Sequence, residues 1–188
     1  HIMSTIRFAA LQETLNRTTI KVVETEKRSV LFGKNVFNKH AMQQYLTRAA
    51  YESVMNAIEK GTLVLDYFGH GGEDGFASEK ILEKPQIQEL NNSNTLPLLI
   101  TVTCDFSRFD NPRRITAGEL TLWNKTGGAA SMITTTREVF ISTGQRFNEN
   151  LIRVLLEFNG GDVSISEALM QAKNNFSSTQ KFFAIVHI

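Results

Sequence analysis

This sequence predicts an α/β fold, a mostly parallel sheet flanked by helices, and three observations carry that prediction. Two apolar runs, Leu63-Val64-Leu65-Asp66-Tyr67-Phe68 and Leu98-Leu99-Ile100-Thr101-Val102-Thr103, have the length and the branched or aromatic content of strands. Between them Pro85 is placed to open a short helix with Ile87 and Leu90 on one face, so the segment reads as strand, helix, strand, and the two strands as parallel. Further on, two helical stripes follow a third apolar run, as expected of helices that cover a sheet.

The remaining elements follow in chain order. His1-Ile2-Met3 reads as the remnant of an expression tag and is set apart from the fold. Ile6, Phe8 and Leu11 fit a short helix or strand, and Ile20-Lys21-Val22-Val23 alternates like an edge strand. Arg17, Lys21, Lys27 and Arg28 there read as a solvated face. From Lys39 to Lys60, apolar Met42, Tyr45, Leu46, Ala49, Val54, Ala57 and Ile58 recur at three- and four-residue steps, a core-facing helix that stops at Gly61. His40 has no second ligand four residues on, which argues against a metal site. Ala117, Leu120 and Trp123 mark a short helix that stops at Gly127-Gly128, and Ala129 to Thr134 is the third buried strand. Helices follow over residues 143–158, with Phe147, Leu151, Val154, Leu155 and Phe158 inward, and over residues 164–176, where Ser164 and Glu167 match a capping box. The chain ends in Phe182-Phe183-Ala184-Ile185-Val186-His187-Ile188, a strand without a following turn, so the fold is expected to be truncated at its C-terminus.

Two reactive side chains stand at two strand ends. The first strand delivers Gly69-His70-Gly71-Gly72 and the second delivers Cys104. Parallel strands end at one edge, about 4.8 Å apart, so residues just past those ends meet across a crevice. A cysteine attacks as thiolate, and a histidine can favour its ionisation and later protonate a leaving amine. Gly69, Gly71 and Gly72 are expected to allow a tight turn with positive φ and to leave backbone N–H groups bare, the material of an oxyanion hole. The plainer reading is a buried cysteine and a histidine that serves only its turn. Asp66, Glu73 and Asp74 are the acids near His70, and any of the three could orient it. The polar segment after Cys104, with a turn at Asp110-Asn111-Pro112, carries Asp105, Asp110, Arg113 and Arg114, which would either select a charged substrate group or lie on an exposed loop. Thr135, Thr136 and Arg137 follow the third strand at the same edge, which makes them candidates for the pocket rim.

Composition narrows the function classes. The chain has 188 residues, 41% hydrophobic and 21% charged, with a formal net charge of +1, as for one globular domain. Its basic residues are scattered, so no nucleic-acid stripe is indicated. No apolar run approaches the ~20 residues of a membrane span, and no secretory signal begins the chain, which as written would be cytoplasmic. One cysteine excludes an intrachain disulfide.

The run Gly69-His70-Gly71-Gly72-Glu73-Asp74-Gly75-Phe76-Ala77, followed by Thr101-Val102-Thr103-Cys104-Asp105-Phe106, resembles the gingipain family of caspase-fold cysteine peptidases. Asn111-Pro112, Ile115-Thr116-Ala117-Gly118-Glu119, Thr134-Thr135-Thr136-Arg137-Glu138 and Lys173-Asn174-Asn175-Phe176 are similar to one branch of it, the PorU-type C-terminal signal peptidase, or sortase, of the Bacteroidetes type IX secretion system. The resemblance covers residues 62–188. It implies a caspase/gingipain-like sheet, Cys104 as nucleophile, His70 as base and the Gly71 backbone at the oxyanion; Asp105, Arg113, Thr136 and Arg137 are substrate-contact candidates from their position at the strand ends alone. It also implies protein substrates carrying C-terminal secretion signals, no cofactor or metal, and a parent enzyme at the cell surface. One departure stands out: many caspase-fold enzymes carry alanine before the nucleophile and glycine soon after, where this chain has Thr103 and Asp105-Phe106-Ser107.

The N-terminal part points elsewhere. Arg7-Phe8-Ala9-Ala10-Leu11, Asn16-Arg17, Leu31-Phe32-Gly33-Lys34-Asn35-Val36-Phe37-Asn38 and Met42-Gln43-Gln44-Tyr45-Leu46 are similar to the opening segment of type III glutamine synthetases. The catalytic residues of that family lie far beyond its opening segment. The expectation is therefore a chimera: a segment 4–61 joined near residue 61 to a partial peptidase core, 62–188. The rival to a working peptidase is an inactive caspase-fold fragment that serves as an interaction module, pairs through an exposed edge strand and forms homo-oligomers. A phosphate-binding loop over residues 69–75 is the weakest reading, since no Lys-Ser or Lys-Thr follows the glycines.

Overall fold

The strand–helix–strand unit forms where the apolar runs and Pro85 place it. A computed structural model of the chain describes residues 5–9, 39–76, 81–156, 163–175 and 185–187. In order the elements are β1 (Thr5–Ala9), α1 (Lys39–Lys60), β2 (Val64–Phe68), β3 (Gly71–Gly72), β4 (Gly75–Phe76), β5 (Leu82–Glu83), α2 (Lys84–Gln88), β6 (Leu98–Val102), α3 (Ala117–Trp123), β7 (Ser131–Thr135), α4 (Ile141–Leu156), α5 (Ile165–Asn174) and β8 (Ile185–His187). The main sheet has the order β1-β2-β6-β7-β8. Strands β2, β6 and β7 are parallel, while β1 and β8 add antiparallel edges. This is the α/β arrangement expected from the sequence, a mostly parallel sheet flanked by helices.

Alternation along each strand feeds two cores. Leu65 and Tyr67 of β2, Leu99 of β6 and Met132 of β7 pack with Val54 and Ile58 of α1, Ile87 of α2 and Ala117 of α3. Val64, Ile100, Val102 and Ile133 face the other way, against Phe147 and Leu151 of α4 and Ala168, Leu169 and Ala172 of α5. Central parallel strands buried on both faces read as near-continuous apolar runs, which is why they were conspicuous in the sequence.

Capping sets the helix starts. Ser164 and Glu167 exchange the two bonds of a capping box at α5, and Thr116 and Glu119 do the same at α3. Helix α2 has a box of its own between Glu83 and Gln86, with Pro85 in its first turn. Gly61, at φ 87°, ends α1 in the left-handed conformation that suits glycine.

Helix α3 ends at Trp123, ahead of the predicted stop at Gly127-Gly128, and Trp123 is 60% exposed because α3 turns Ala117, Gly118 and Thr121 inward. The predicted strand at residues 20–23, the basic residues 17–28, Leu11, Phe158, Phe176 and residues 182–184 lie outside the described residues. Among the described residues, no helix is long and apolar enough to cross a membrane.

Candidate active site

Register brings the two strand ends together. Phe68 of β2 and Val102 of β6 are direct partners in a parallel pair. His70 and Cys104 each stand two residues past those partners, on neighbouring strands at one edge.

The His70 turn is fixed from beneath. Tyr67, buried in β2, donates its hydroxyl to the His70 carbonyl oxygen. Its ring stacks on Phe76 at 4.1 Å between centroids, and Phe76 meets Phe106 at 4.9 Å. Phe106 lies two residues after Cys104, so a single aromatic column ties the histidine turn to the Cys104 loop. Gly71 packs on Thr103, the residue before Cys104: an atom at the Cβ position of Gly71 would lie 2.5 Å from Thr103 Oγ1 and 2.9 Å from the Gly75 carbonyl oxygen. Positive φ was expected at Gly69, Gly71 and Gly72; in this turn it falls instead at Gly75, at 148°. Gly71 is needed for close approach.

Cys104 is half-buried and is the chain's single cysteine. Its Sγ lies 4.0 Å from the Val139 carbonyl oxygen. Asp105 follows with φ 50°, a left-handed conformation that aspartate tolerates better than most residues and that turns the chain sharply away from the strand. Its N–H donates to the Arg137 carbonyl at 3.3 Å, and Ser107 N–H donates to the Thr135 carbonyl at 2.9 Å. The segment thereby runs along the end of β7.

A cleft of about 340 Å³ opens beside the turn, lined by residues 70–75 with Glu83, Asp105 and Arg114. Cys104 adjoins this lining through Asp105 without belonging to it. Glu73 is largely buried; its carboxylate accepts from Asn111 Nδ2 at 2.8 Å and faces Arg114 at 3.6 Å, and its carbonyl accepts from Ala117 N–H at 2.7 Å. Asp74 accepts from Lys84 at 2.8 Å and from Arg114 through both oxygens. The Lys84 bond first, with Arg114 beside it, holds the Asp74 carboxyl below the usual carboxylate range. Among the described residues, no group of three or more histidine, cysteine or acidic side chains is arranged to hold a metal ion.

The structure sorts the other candidates. Of the acids near His70, Glu73 and Asp74 line the cleft, whereas Asp66 is buried and accepts from Asn148 of α4 at 3.0 Å. Asp105 lines the cleft. Arg113 does not: its N–H donates to Asn111 Oδ1 at 3.1 Å, and the next residue, Arg114, takes the cleft position. Arg137 also stays outside, its guanidinium spread over Asp110, which lowers the Asp110 pKa and raises that of Arg137. Thr136 is 9% exposed, and its carbonyl accepts from Arg137. Glu83 was not foreseen. Its one signal, the Glu-Lys-Pro-Gln capping sequence, marked a helix start rather than a cleft wall.

Comparison with known proteins gives the same fold. Gingipain R, an Arg-specific cysteine proteinase also called RgpB, superimposes with a TM-score of 0.61 over 71% of this chain and 34% of its own, at 18% identity. The complex of the Porphyromonas gingivalis RgpB pro- and mature domains gives 0.59 over 66% of this chain and 30% of that one, at 19% identity. A Bacteroides fragilis (strain YCH46) glutamine synthetase is 43% identical over 61 residues, 32% of this chain and 8% of that protein. The chain thus spans about a third of the solved relatives and a small part of the synthetase. Residues 4–185 match the profile of one family from nearly end to end, and by that match the chain belongs to Peptidase family C25.

Proposed function

We propose that the chain is the core of a cysteine peptidase in which Cys104 and His70 form the reacting pair. The observation that carries this reading is the parallel register of Phe68 with Val102, which leaves both residues at one sheet edge beside the cleft. His70 takes the Cys104 proton as Sγ bonds to the substrate carbonyl carbon. The N–H groups of Gly71 and Cys104 hold the oxyanion. His70 then returns the proton to the leaving amine as the peptide bond breaks, and water or a second amine releases the acyl group. Asp105, in the cleft lining, favours a substrate with a basic side chain near the scissile bond, whereas Glu73 and Asp74 are already met by Arg114 and Lys84 and Glu83 caps α2.

The finer reading is a signal peptidase that removes C-terminal secretion signals from proteins at the cell surface. Its support is the likeness of residues 111–119, 134–138 and 173–176 to that branch. Residues 4–61 are read as a segment joined near residue 61, on the strength of the motifs they share with the opening of type III glutamine synthetases and of the 61-residue match to a glutamine synthetase, while the family match over residues 4–185 includes them.

A second reading, an inactive module, is favoured by one observation: Cys104 Sγ faces the Val139 carbonyl, and the residue does not line the cleft. The pH dependence of Cys104 alkylation by iodoacetamide, in the parent protein and in His70→Ala, separates the two. The peptidase reading expects fast alkylation well below the ~8.5 at which a free thiol titrates, with that advantage lost in the variant. Free-thiol behaviour in both proteins would leave the inactive module.

A further inference from the structure

The buried hydroxyls around the nucleophile are paired with one exception. Thr101 donates to Thr134 at 2.8 Å, Ser107 and Thr134 share a bond of 2.9 Å, Thr121 donates to the Ala117 carbonyl at 2.8 Å, and Thr135 donates to the Thr103 carbonyl. Thr103 Oγ1 has no hydrogen-bond partner among the described residues, although the residue is only 2% exposed. An orphaned buried hydroxyl costs stability that an isosteric valine would not, so its presence one residue before Cys104 calls for a reason.

What faces this hydroxyl is the histidine turn. Oγ1 and Cγ2 of Thr103 are, with the Gly75 carbonyl, the nearest atoms to the Cβ position of Gly71. Thr103 itself is anchored, since its carbonyl is held by Thr135 and its neighbour Val102 is paired in the sheet. The turn is held on its other side, by Tyr67 at the His70 carbonyl and by the pairing of Gly71 with Phe76, while glycine at positions 71 and 72 leaves its peptide planes without side-chain bulk. A small rotation of the peptide planes that aims the Gly71 N–H at an oxyanion would bring a turn carbonyl toward a donor that is already desolvated and fixed.

We propose that Thr103 is a positioning residue whose hydroxyl, uncommitted in the resting protein and in the complex with bound peptide, donates to a carbonyl oxygen of the turn over residues 70–75 as the oxyanion forms. A bond made only in the reacting state speeds acylation without tightening substrate binding. The inference rests on the peptidase reading above.

The test compares the parent protein with Thr103→Val and Thr103→Ser. The probes are a peptidyl acyloxymethyl ketone ending in arginine, which must be held in the cleft to label Cys104, and iodoacetamide, which need not. Thr103→Val is expected to raise Tm, to lower kinact for the peptidyl reagent about tenfold, the worth of one hydrogen bond, and to leave KI unchanged. Thr103→Ser keeps the parent kinact despite its lost methyl group. Iodoacetamide rates stay equal in all three.

A valine variant that labels as fast as the parent overturns the proposal. So does a serine variant as slow as valine, or a valine variant of lower Tm, which would show that the hydroxyl already has a partner at rest. In each of those outcomes the parent is still labelled, and the peptidase reading stands. A parent inert to the peptidyl reagent removes that reading, and the inference falls with it.

Discussion

Position 71 requires glycine because of its neighbours, with φ outside the left-handed region. A methyl group there would press on Thr103 Oγ1 at 2.5 Å and on a main-chain carbonyl at 2.9 Å. Gly71→Ala is therefore expected to cost about 1–3 kcal/mol, the range for overpacking, and to remove the dependence of Cys104 reactivity on His70. Urea denaturation and the alkylation profile measure the two effects. Adding Thr103→Ala should recover only part of the stability, because the Gly75 carbonyl stays in place; full recovery would show that the side chain alone sets the contact. His70 and Cys104 were legible as candidates because rare residue types stood just past two strand ends. Arg114 was legible only as one of several loop charges, since its choice over Arg113 depends on how the turn at Asn111 aims successive side chains. The orphaned hydroxyl of Thr103 was not legible at all. A threonine at a strand end is common, and only packing shows what its oxygen lacks.

Helix α3 is where an element's local preference and its surroundings disagree. Alanine is the better helix former than glycine by about 1 kcal/mol. Yet a Cβ on Gly118 would fall 1.8 Å from Ser107 Oγ and 2.9 Å from the Phe106 carbonyl, and Gly118 N–H donates to that carbonyl at 2.9 Å. Gly118→Ala should therefore lower Tm in spite of its propensity, because α3 must back away from the segment that leaves Cys104. A rise in Tm on calorimetry would mean that the helix sits more loosely than these distances imply. The sequence announced this helix through the spacing of Ala117, Leu120 and Trp123, of which Ala117 is buried, Leu120 packs on the core and Trp123 is exposed, but it did not show the close approach at Gly118. The helices over residues 141–156 and 165–174 were read with ends close to those observed, since capping and periodicity there agree with the packing.

Across the whole molecule, the segment likened to a glutamine synthetase is built into the peptidase sheet. Strand β1 pairs with β2 along five residues, and Val54 and Ile58 of α1 are 1% and 2% exposed in the same core as Tyr67 and Phe76. A protein started at Thr62 should leave the β2 edge open and this core uncovered, and should associate in light scattering where the full chain does not. A monodisperse product with the parent's near-ultraviolet spectrum would show instead that the two segments fold separately. Periodicity revealed helix α1, whereas the membership of β1 in the sheet follows from a pairing across more than fifty residues that no local pattern encodes. The strand order has a temporal consequence. Strands β2 and β6 are joined by a short crossover, but their sheet gains its outer strands from residues 5–9 and 185–187. On a ribosome, the histidine and the cysteine would both have emerged while the far strand was still unmade, so the paired site would mature late, and slowly, as long-range pairings do.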